Sequence, residues 1–589
     1  MSPITTSPHP NRRGRAQLRS VLAALLCTIA LLTAAAGPAT GAPPGPPPVA
    51  GQGAPVVRTD HGLLRGVSHG SYATFDGIPY AAPPTGPLRW RAPAPAAPWL
   101  GVRDGTTAAQ RCVQMPSPGA GPTSGSEDCL YLNVTMPTPK STRTPKSTHT
   151  PKSTRTSTSK STPKSPGRKR PVLVWMHGGA FLGGSGSDYN ADQLAVRGDT
   201  VVVTVNYRLG IFGYFGHPAL GSAPAFGLAD QQAALRWVRA NAERFDGDPG
   251  SVTLFGESAG ALGICAHLTS PTAAGLFHRA VLQSGSCLMS FPRGALGPGT
   301  PEYTPFAAQH DVQTAGSEAA RQLGCTADGQ DEPLSCLRRL STDRLATTQL
   351  MQAFNRPAFG NALLPLAPDQ ALVSGRFHHV PIIQGTNHDE MRMFVGLSLA
   401  AFPIRTEGDY RARLTDAFGP AAPAVEAQYP AAGHPTPALA WAAVLTDRSL
   451  TCTTLAAGSA IAAHIPELPL YGYEFSDPNP PVLAGLPTDP DFPYGAAHGF
   501  EMPYLFTSFP TARPLTDAQR ALSDRMVDYW THFAHTGDPN TPDAPPWPTL
   551  HSASPRVRSV QSLAPGAGGI HPVDAGAAHH CAFWNRLPR

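Results

Sequence analysis

Short runs of consecutive apolar residues recur along the chain, and longer stretches of mixed composition lie between them. Continuous apolar runs of about four to eight residues are typical of strands that are buried on both faces of a parallel sheet. We expect such strands at residues 170–176, 201–206, 252–255, 280–283, 380–384 and 470–475. The segments between them are long enough for crossover helices, as at residues 230–244. The pattern therefore predicts an α/β fold with a central, mostly parallel sheet flanked by helices.

The apolar run at residues 252–255 leads into Gly256-Glu257-Ser258-Ala259-Gly260, and residues 261–268 then have the composition of a helix. A serine held between glycines at a tight strand-to-helix turn exposes its hydroxyl group, an arrangement called a nucleophile elbow. Glycine at both flanks lets the backbone bend and lets other groups approach. Because so short a motif also occurs by chance, it indicates a nucleophile at Ser258 only if the rest of a catalytic site is present.

A loop suited to stabilising negative charge follows the strand predicted at residues 170–176. There the chain reads His177-Gly178-Gly179-Ala180-Phe181. This sequence is similar to the glycine-rich loops whose N–H groups bind the oxygen of a tetrahedral intermediate. Small residues suit the position, since a side chain would block the substrate carbonyl. We expect the backbone N–H groups of Gly179, Ala180 and Ala259 to form an oxyanion hole.

A serine nucleophile also needs a base, and the base needs a carboxylate that orients it. The strand predicted at residues 380–384 runs into Gly385-Thr386-Asn387-His388-Asp389-Glu390, which places an acid at a strand end. His498 follows in a later loop of small residues. On spacing alone, either Asp389 or Glu390 could be the acid. With Glu390, the chain order Ser258, Glu390, His498 is the one that α/β serine hydrolases use.

These motifs are part of a wider set of matches. The chain resembles the type-B carboxylesterase family, which includes cholinesterases, carboxylesterases and some lipases, over roughly residues 56–589. The resemblance implies an α/β-hydrolase fold with large helical insertions and a serine esterase activity. It also places the family's acid on Glu390 and its base on His498. The matching stretches are residues 75–81, 127–134, 177–181, 206–210, 245–260, 283–285, 385–390, 498–499 and 581–584.

The N-terminus has the layout of a secretory signal peptide. Four arginines precede an uncharged, mostly apolar run at residues 20–36, and small residues continue to Ala42. Cleavage after Ala36 or after Ala42 fits the rule for small residues, and we take residues 1–42 as the leader and 43–589 as one hydrolase domain. The leader's run is at the lower limit for spanning a bilayer, and no other segment is as long. We expect a secreted protein with no integral membrane span after cleavage.

Eight cysteines remain once Cys27 of the leader is set aside, and an even number in an exported chain argues for disulfides. Spacing alone does not fix their connectivity. The family resemblance implies the pairs Cys112–Cys129, Cys325–Cys336 and Cys452–Cys581. The remaining two, Cys265 and Cys287, either form a fourth pair or stay as two buried thiols.

Residues 138–170 differ in composition from the rest of the chain. They repeat the unit T-P-K-S-T followed by Arg or His, and they contain ten Lys and Arg, no acid and almost no apolar residue. Such a segment cannot bury enough surface to fold, so we expect a disordered basic surface loop. Since this insert and the leader hold more positive charge than the net +5 of the whole chain, the remaining body is acidic. We expect no nucleic-acid binding, whereas weak contact of the insert with an anionic cell wall stays open.

The sequence thus predicts a secreted serine carboxylesterase that hydrolyses small-molecule esters through an acyl-enzyme intermediate. One alternative is a lipase that acts on acylglycerols at interfaces. Another, of a different class, is a catalytically idle adhesion domain, which the presence of serine, acid and histidine disfavours. His579-His580-Cys581 resembles a metal-binding cluster only faintly, since no second Cys or His pair lies at ligand spacing. We expect no metal site and no cofactor.

Overall fold

The computed structural model describes residues 54–115, 124–138, 169–222, 225–326, 332–550 and 559–587. The predicted leader at residues 1–42 lies outside this part of the chain, and so does most of the basic insert. Within the described ranges, no helix combines the length and the apolar composition that crossing a bilayer requires.

The described residues form sixteen strands, eleven of which build one large sheet. The others pair in two small sheets, β1-β2-β5 and β11-β12. In chain order the strands are β1 (Val56–Arg58), β2 (Leu63–Arg65), β3 (Val67–Ser68), β4 (Tyr72–Pro79), β5 (Val102–Asp104), β6 (Tyr131–Pro137), β7 (Arg170–Met176), β8 (Val201–Val205), β9 (Gly247–Glu257), β10 (Arg279–Gln283), β11 (Ala307–Ala308), β12 (Ala358–Phe359), β13 (Ile382–Asn387), β14 (Leu470–Phe475), β15 (Val560–Leu563) and β16 (Ile570–Val573).

The large sheet has the order β16-β15-β14-β13-β10-β9-β7-β8-β6-β4-β3. Its seven inner strands, from β15 to β8, run parallel, and the strands at both edges pair antiparallel. All parallel strands therefore end at one edge of the sheet, where loops from different strands meet. The predicted fold class, an α/β-hydrolase fold with a mostly parallel sheet, is confirmed.

Helices connect the parallel strands and also form the large insertions after β10 and β13. In chain order they are α1 (Asp192–Gly198), α2 (Gly210–Tyr214), α3 (Phe226–Asn241), α4 (Ala259–Leu268), α5 (Gln309–Gln322), α6 (Pro333–Arg339), α7 (Thr342–Leu345), α8 (Thr348–Ala353), α9 (Pro368–Val373), α10 (Arg392–Ser398), α11 (Glu407–Phe418), α12 (Ala422–Gln428), α13 (Pro437–Leu445), α14 (Cys452–His464), α15 (Met502–Leu505), α16 (Asp517–Thr536), α17 (Ala575–Ala578) and α18 (Cys581–Trp584). A π-helical segment, Thr446–Thr451, joins α13 to α14.

The sheet separates two apolar cores, and β7 shows how. Its alternate residues Val172, Val174 and Met176 belong to one core, whereas Leu173 and Trp175 belong to the other. Successive side chains of a strand point to opposite faces, so both faces of β7 must be apolar. This is why the strand appears in the sequence as a continuous apolar run.

Several predicted strands have the expected bounds, and one is displaced. The runs at 170–176 and 470–475 are confirmed as β7 and β14, whereas the strand predicted at 380–384 extends over Ile382–Asn387. The polar end of β13 continues to pair with β14 as far as Asn387, opposite Phe475. Pairing with a buried neighbour thus extends β13 beyond its apolar run.

Four disulfides link the described residues: Cys112–Cys129, Cys265–Cys287, Cys325–Cys336 and Cys452–Cys581. The pair left open by the sequence, Cys265 and Cys287, joins α4 to the loop after β10, and both residues are buried. This bridge ties the helix that follows the elbow to the neighbouring strand connection.

The basic insert leaves and re-enters the fold at one end of the large sheet. It follows β6 and precedes β7, which lie on either side of β8. Since β6 is antiparallel to β8 and β7 is parallel to it, the end of β6 and the start of β7 lie at the same edge. They are two strand spacings, about 10 Å, apart.

Candidate active site

Ser258 lies at the turn between β9 and α4. Its backbone has φ 55° and ψ −120°, a strained conformation for a residue with a side chain. The neighbouring glycines let this turn pack directly on the end of β7. A Cβ at Gly260 would lie 1.9 Å from the carbonyl oxygen of Met176, and one at Gly256 would lie 2.6 Å from it. The turn therefore holds Ser258 at the edge where the parallel strands end.

His498 reaches the same edge from the long loop between β14 and α15. Its Nδ1 lies 2.6 Å from Oε2 of Glu390, and both side chains are buried. The backbone N–H of Asn387 donates to Oε1 of Glu390 at 2.8 Å, and the backbone N–H of His498 donates to the carbonyl oxygen of Glu390 at 3.2 Å. Because Nδ1 donates its proton to the carboxylate, Nε2 is left as the basic nitrogen of the ring.

The competing acid, Asp389, is engaged elsewhere. Its Oδ1 lies 2.8 Å from Nη2 of Arg392, and its Oδ2 accepts the backbone N–H of Ala496 at 3.0 Å. Of the two adjacent carboxylates, only Glu390 contacts the imidazole of His498 among the described contacts. The geometry favours Glu390, whose role as the acid stays a prediction.

The glycine-rich loop after β7 lies against the nucleophile. A Cβ at Gly178 would lie 3.2 Å from Cβ of Ser258. Gly179, Ala180 and Phe181 have φ values of 100°, 55° and 58°, so the chain turns sharply here. Within the described ranges, no protein acceptor takes the N–H groups of Gly179, Ala180 or Ala259. All three are available to a bound oxygen, as the oxyanion-hole prediction requires.

Glu257 is a site residue whose role the sequence analysis missed, although it lies inside the elbow motif. Its Oε1 is 3.0 Å from Nε2 of His498. Neither atom has an aligned hydrogen-bond partner, so the contact is one of charge and not a directed hydrogen bond. Among the described hydrogen bonds, none joins Ser258 to His498. Catalytic hydrogen bonds are often long or misaligned before substrate binds.

A third carboxylate, Glu501, lies fully buried behind these groups. It accepts from Nδ2 of Asn387 at 2.6 Å and from Nε2 of Gln283 at 3.3 Å. It lies three residues after His498, in the same turn, and this proximity in sequence is the one signal for it. Three buried carboxylates therefore lie near a single buried imidazole.

This crowding changes the acidity of the site. Burial alone would lower the pKa of His498, but the charges of Glu257 and Glu390 outweigh it and raise the pKa to about 9. Burial raises the pKa of Glu257 to about 8, against the effect of the His498 cation. Burial raises the pKa of Glu501 as well. Near neutral pH, the site therefore retains protons that exposed groups of the same types would partly or fully release.

The second histidine at this edge, His177, is not a competing base. Burial lowers its pKa to about 4, so it is neutral at ordinary pH. Its ring stacks on Tyr207 with centroids 4.3 Å apart, and the Tyr207 hydroxyl donates to the His177 carbonyl at 2.6 Å. These contacts anchor the start of the glycine-rich loop. A half-buried serine on a strained turn, one oriented base and free backbone amides together suit acyl transfer.

Comparisons with known proteins agree with this geometry. The profile of the carboxylesterase family matches residues 53–584. Fumonisin B1 esterase of Sphingopyxis macrogoltabida is 32% identical over 543 residues, which cover 88% of this chain and 89% of that protein. Acylcarnitine hydrolase of Mus musculus is 31% identical and covers 81% of each chain. A solved structure of PNB esterase superposes with a TM-score of 0.69 at 28% identity, over 91% of this chain and 100% of that one.

Proposed function

This chain belongs to the carboxylesterase family and hydrolyses carboxylic esters, and we propose that Ser258, His498 and Glu390 are the residues that do so. The observation that carries the assignment is the 2.6 Å contact between Nδ1 of His498 and Glu390, at the edge where the elbow presents Ser258. His498 takes the proton of the Ser258 hydroxyl at Nε2 while the oxygen attacks the ester carbonyl. Glu390 orients the ring and stabilises the cation that forms.

The negative oxygen of the tetrahedral intermediate binds the N–H groups of Gly179, Ala180 and Ala259. The alcohol then leaves with the proton from His498, and an acyl group stays bonded to Ser258. Water enters, gives its proton to His498 and releases the carboxylic acid by the same sequence of steps. For the first step, Nε2 of His498 must exchange its contact with Glu257 for one with the Ser258 hydroxyl.

The direct test is hydrolysis of p-nitrophenyl acetate by the purified chain. Ser258→Ala and His498→Ala should each lower kcat/KM by on the order of 10⁴-fold or more, because the catalytic groups act as a unit. Ser251→Ala is the matched control, since Ser251 lies near the middle of β9, seven residues before Ser258, and its hydroxyl accepts from Arg279. It should keep wild-type activity. Near-normal turnover by Ser258→Ala refutes the assignment.

The family and the site together indicate small-molecule carboxylic esters as the class of substrate. The relatives have names that point to different esters, among them fumonisin B1 esterase, acylcarnitine hydrolase and pyrethroid hydrolase Ces2e. These names do not favour the lipase or the adhesion alternative. A series of p-nitrophenyl esters of increasing acyl length would rank the acyl preference.

We further propose that the protein is secreted, with residues 1–42 removed. Four disulfides support this, since such bonds persist in oxidising compartments. Mass spectrometry of protein from the culture medium should find an N-terminus at residue 43 or residue 37. If the basic insert holds the secreted protein on an anionic cell wall, the attraction is electrostatic. Added salt should then release the protein from the wall. An intact leader on mature protein contradicts the proposal.

A further inference from the structure

A second group of titratable side chains lies at the carboxyl ends of β13 and β14, and ester hydrolysis does not use it. His579 is buried between two carboxylates: its Nδ1 lies 2.5 Å from Oδ1 of Asp447, and its Nε2 lies 2.7 Å from Oε1 of Glu474. The ring of His388 packs against that of His579 with centroids 5.2 Å apart. Four distant segments of the chain supply these residues, so sequence spacing gives no sign of the cluster.

Three of these side chains bring ligand atoms together. One nitrogen or oxygen each from His388, Glu474 and His579 lies within 4.8 Å of the other two. In a tetrahedral site with metal–ligand distances of about 2.0–2.1 Å, ligand atoms lie about 3.3 Å apart. Glu474 and His579 would have to separate by about half an ångström, and His388 would have to approach them.

The surroundings of His579 orient it as metal-bound histidines are usually oriented. Its Nδ1–H donates to Asp447, which leaves Nε2 to face the other ligands. Asp447 is itself fixed, because the Tyr429 hydroxyl donates to its Oδ2 at 2.7 Å. The indole N–H of Trp584 donates in turn to the Tyr429 oxygen at 2.7 Å. A chain of buried hydrogen bonds therefore sets both the tautomer and the direction of the His579 ring.

Glu474 and His388 each contact a neighbouring protein group through one atom, which leaves a second atom to bind a metal. Oε2 of Glu474 accepts from the Ser476 hydroxyl at 3.1 Å, which leaves Oε1 directed at His579. Nδ1 of His388 lies 3.2 Å from Asp389, which leaves its Nε2. The His388 side chain is 49% exposed, whereas Glu474 and His579 are buried. The cluster thus opens to solvent on one side only.

We propose that His388, Glu474 and His579 bind a divalent transition-metal ion, with Zn²⁺ the best fit, and that a water molecule completes a tetrahedral site. Two imidazoles and one carboxylate suit Zn²⁺, whereas Mg²⁺ and Ca²⁺ prefer a shell made of oxygen atoms. Binding breaks the hydrogen bond between His579 and Glu474 and releases to solvent the proton that they share. The ion undergoes no redox change.

The metal site lies beside the catalytic site without being part of it. His388 is two residues from Glu390, and His579 is two residues from the disulfide formed by Cys581. A bound ion would join the C-terminal helices α17 and α18 to the ends of β13 and β14. Since the ion binds the folded state and not the dispersed ligands of the unfolded chain, it should raise the melting temperature.

Co²⁺ is the probe for this proposal, because its visible absorption is strong only in low-coordinate sites with protein ligands. Tag-free full-length protein is stripped with a chelator, desalted and titrated with Co²⁺. We expect one equivalent to bind with a saturable visible band, and Zn²⁺ to displace it. Absence of a saturable band in the wild-type protein overturns the proposal.

Variants then locate the ion. His388→Ala should weaken Co²⁺ binding by tenfold or more with the fold retained, because this side chain is half-exposed. His310→Ala is the control, since the His310 side chain is 89% exposed and its Nδ1 faces Asp311 and not the cluster. Glu474→Gln keeps a hydrogen-bonding group of the same size and should also weaken binding, which avoids dependence on a buried His579→Ala variant. Wild-type Co²⁺ affinity in His388→Ala or in Glu474→Gln refutes the site.

The outcome is independent of the catalytic assignment. Ser258→Ala protein should bind Co²⁺ as the wild type does, and the metal titration measures no ester turnover. Failure of the metal site therefore leaves Ser258, His498 and Glu390 as they stand. An inactive Ser258→Ala variant likewise says nothing against the metal.

Discussion

The contact between Glu257 and His498 leads to a prediction about pH. His498 must be neutral to accept the proton of Ser258, so activity should rise as pH passes the pKa of this histidine. That pKa is raised to about 9, since the charges of Glu257 and Glu390 outweigh burial. The rising limb of kcat/KM should therefore lie well above the ordinary range of an imidazole, and the enzyme should work best at alkaline pH.

Glu257→Gln removes one of the two charges and keeps the shape of the side chain. At 3.0 Å and an effective dielectric constant of 20, one full charge is worth roughly 5 kcal/mol, which is an upper limit. Glu390 remains in the variant and continues to raise the pKa of His498. We therefore expect the rising limb to move down by about one to two pH units, each worth about 1.4 kcal/mol.

The assay is ester hydrolysis followed by pH-stat, which records acid release directly at every pH. The position of the limb, and not the height of the plateau, is the measured quantity, because Glu257→Gln can also change the maximal rate. Glu501→Gln is the matched control: Glu501 is equally buried, yet its oxygens bond to Asn387 and Gln283 and not to His498. Its limb should move less. A limb that stays in place or moves up in Glu257→Gln refutes the electrostatic reasoning.

Three further outcomes follow from the same structure. Glu390→Gln should lower kcat by on the order of 10³-fold or more. Asp389→Asn should keep most of the activity, because Asp389 contacts Arg392, His388 and the backbone N–H of Ala496 and not His498. The reverse ranking in steady-state assays would move the acid to Asp389. Deleting residues 139–168 and closing the gap with a short turn should leave kcat/KM and Tm nearly unchanged, since the stability of a fold depends only weakly on the length of a long loop. A Tm lower by many degrees would show that the insert packs on the fold. Acetylcholine should be hydrolysed no better than its uncharged isostere 3,3-dimethylbutyl acetate, because residues 113–128 contain no aromatic ring to hold a cation. A tenfold preference in kcat/KM for acetylcholine would contradict this prediction.

The sequence predicts those features of the structure that depend on the chemistry of neighbouring residues. The elbow around Ser258 and the strand Arg170–Met176 lie where the residue pattern predicts, because a tight turn needs glycine and a doubly buried strand needs continuous apolar residues. The residues of the predicted catalytic triad also meet at one edge, since parallel strands end together.

What the sequence misses is proximity between distant charges. Glu257 and Glu501 have ordinary surroundings in the sequence, and only the folded chain buries them beside His498. The expectation of no metal site rested on the spacing around His579, whereas the other two residues of the proposed metal site, Glu474 and His388, come from the ends of two other segments. Burial and long-range contact decide the acidity and ligand capacity of such groups, and neither quantity is a property of a local motif.

The attachment points of the basic insert determine how the enzyme is oriented on any surface that binds the insert. The insert joins the sheet at the end of β6 and at Arg170, the first residue of β7. The glycine-rich loop follows the last residue of β7, about 20 Å away at a rise of about 3.3 Å per residue. A support that holds the insert would therefore bind the molecule at the sheet edge opposite the one that carries Ser258 and the glycine-rich loop. The insert is for this reason the natural position for an immobilisation tag or a fused partner that must leave the reaction unobstructed.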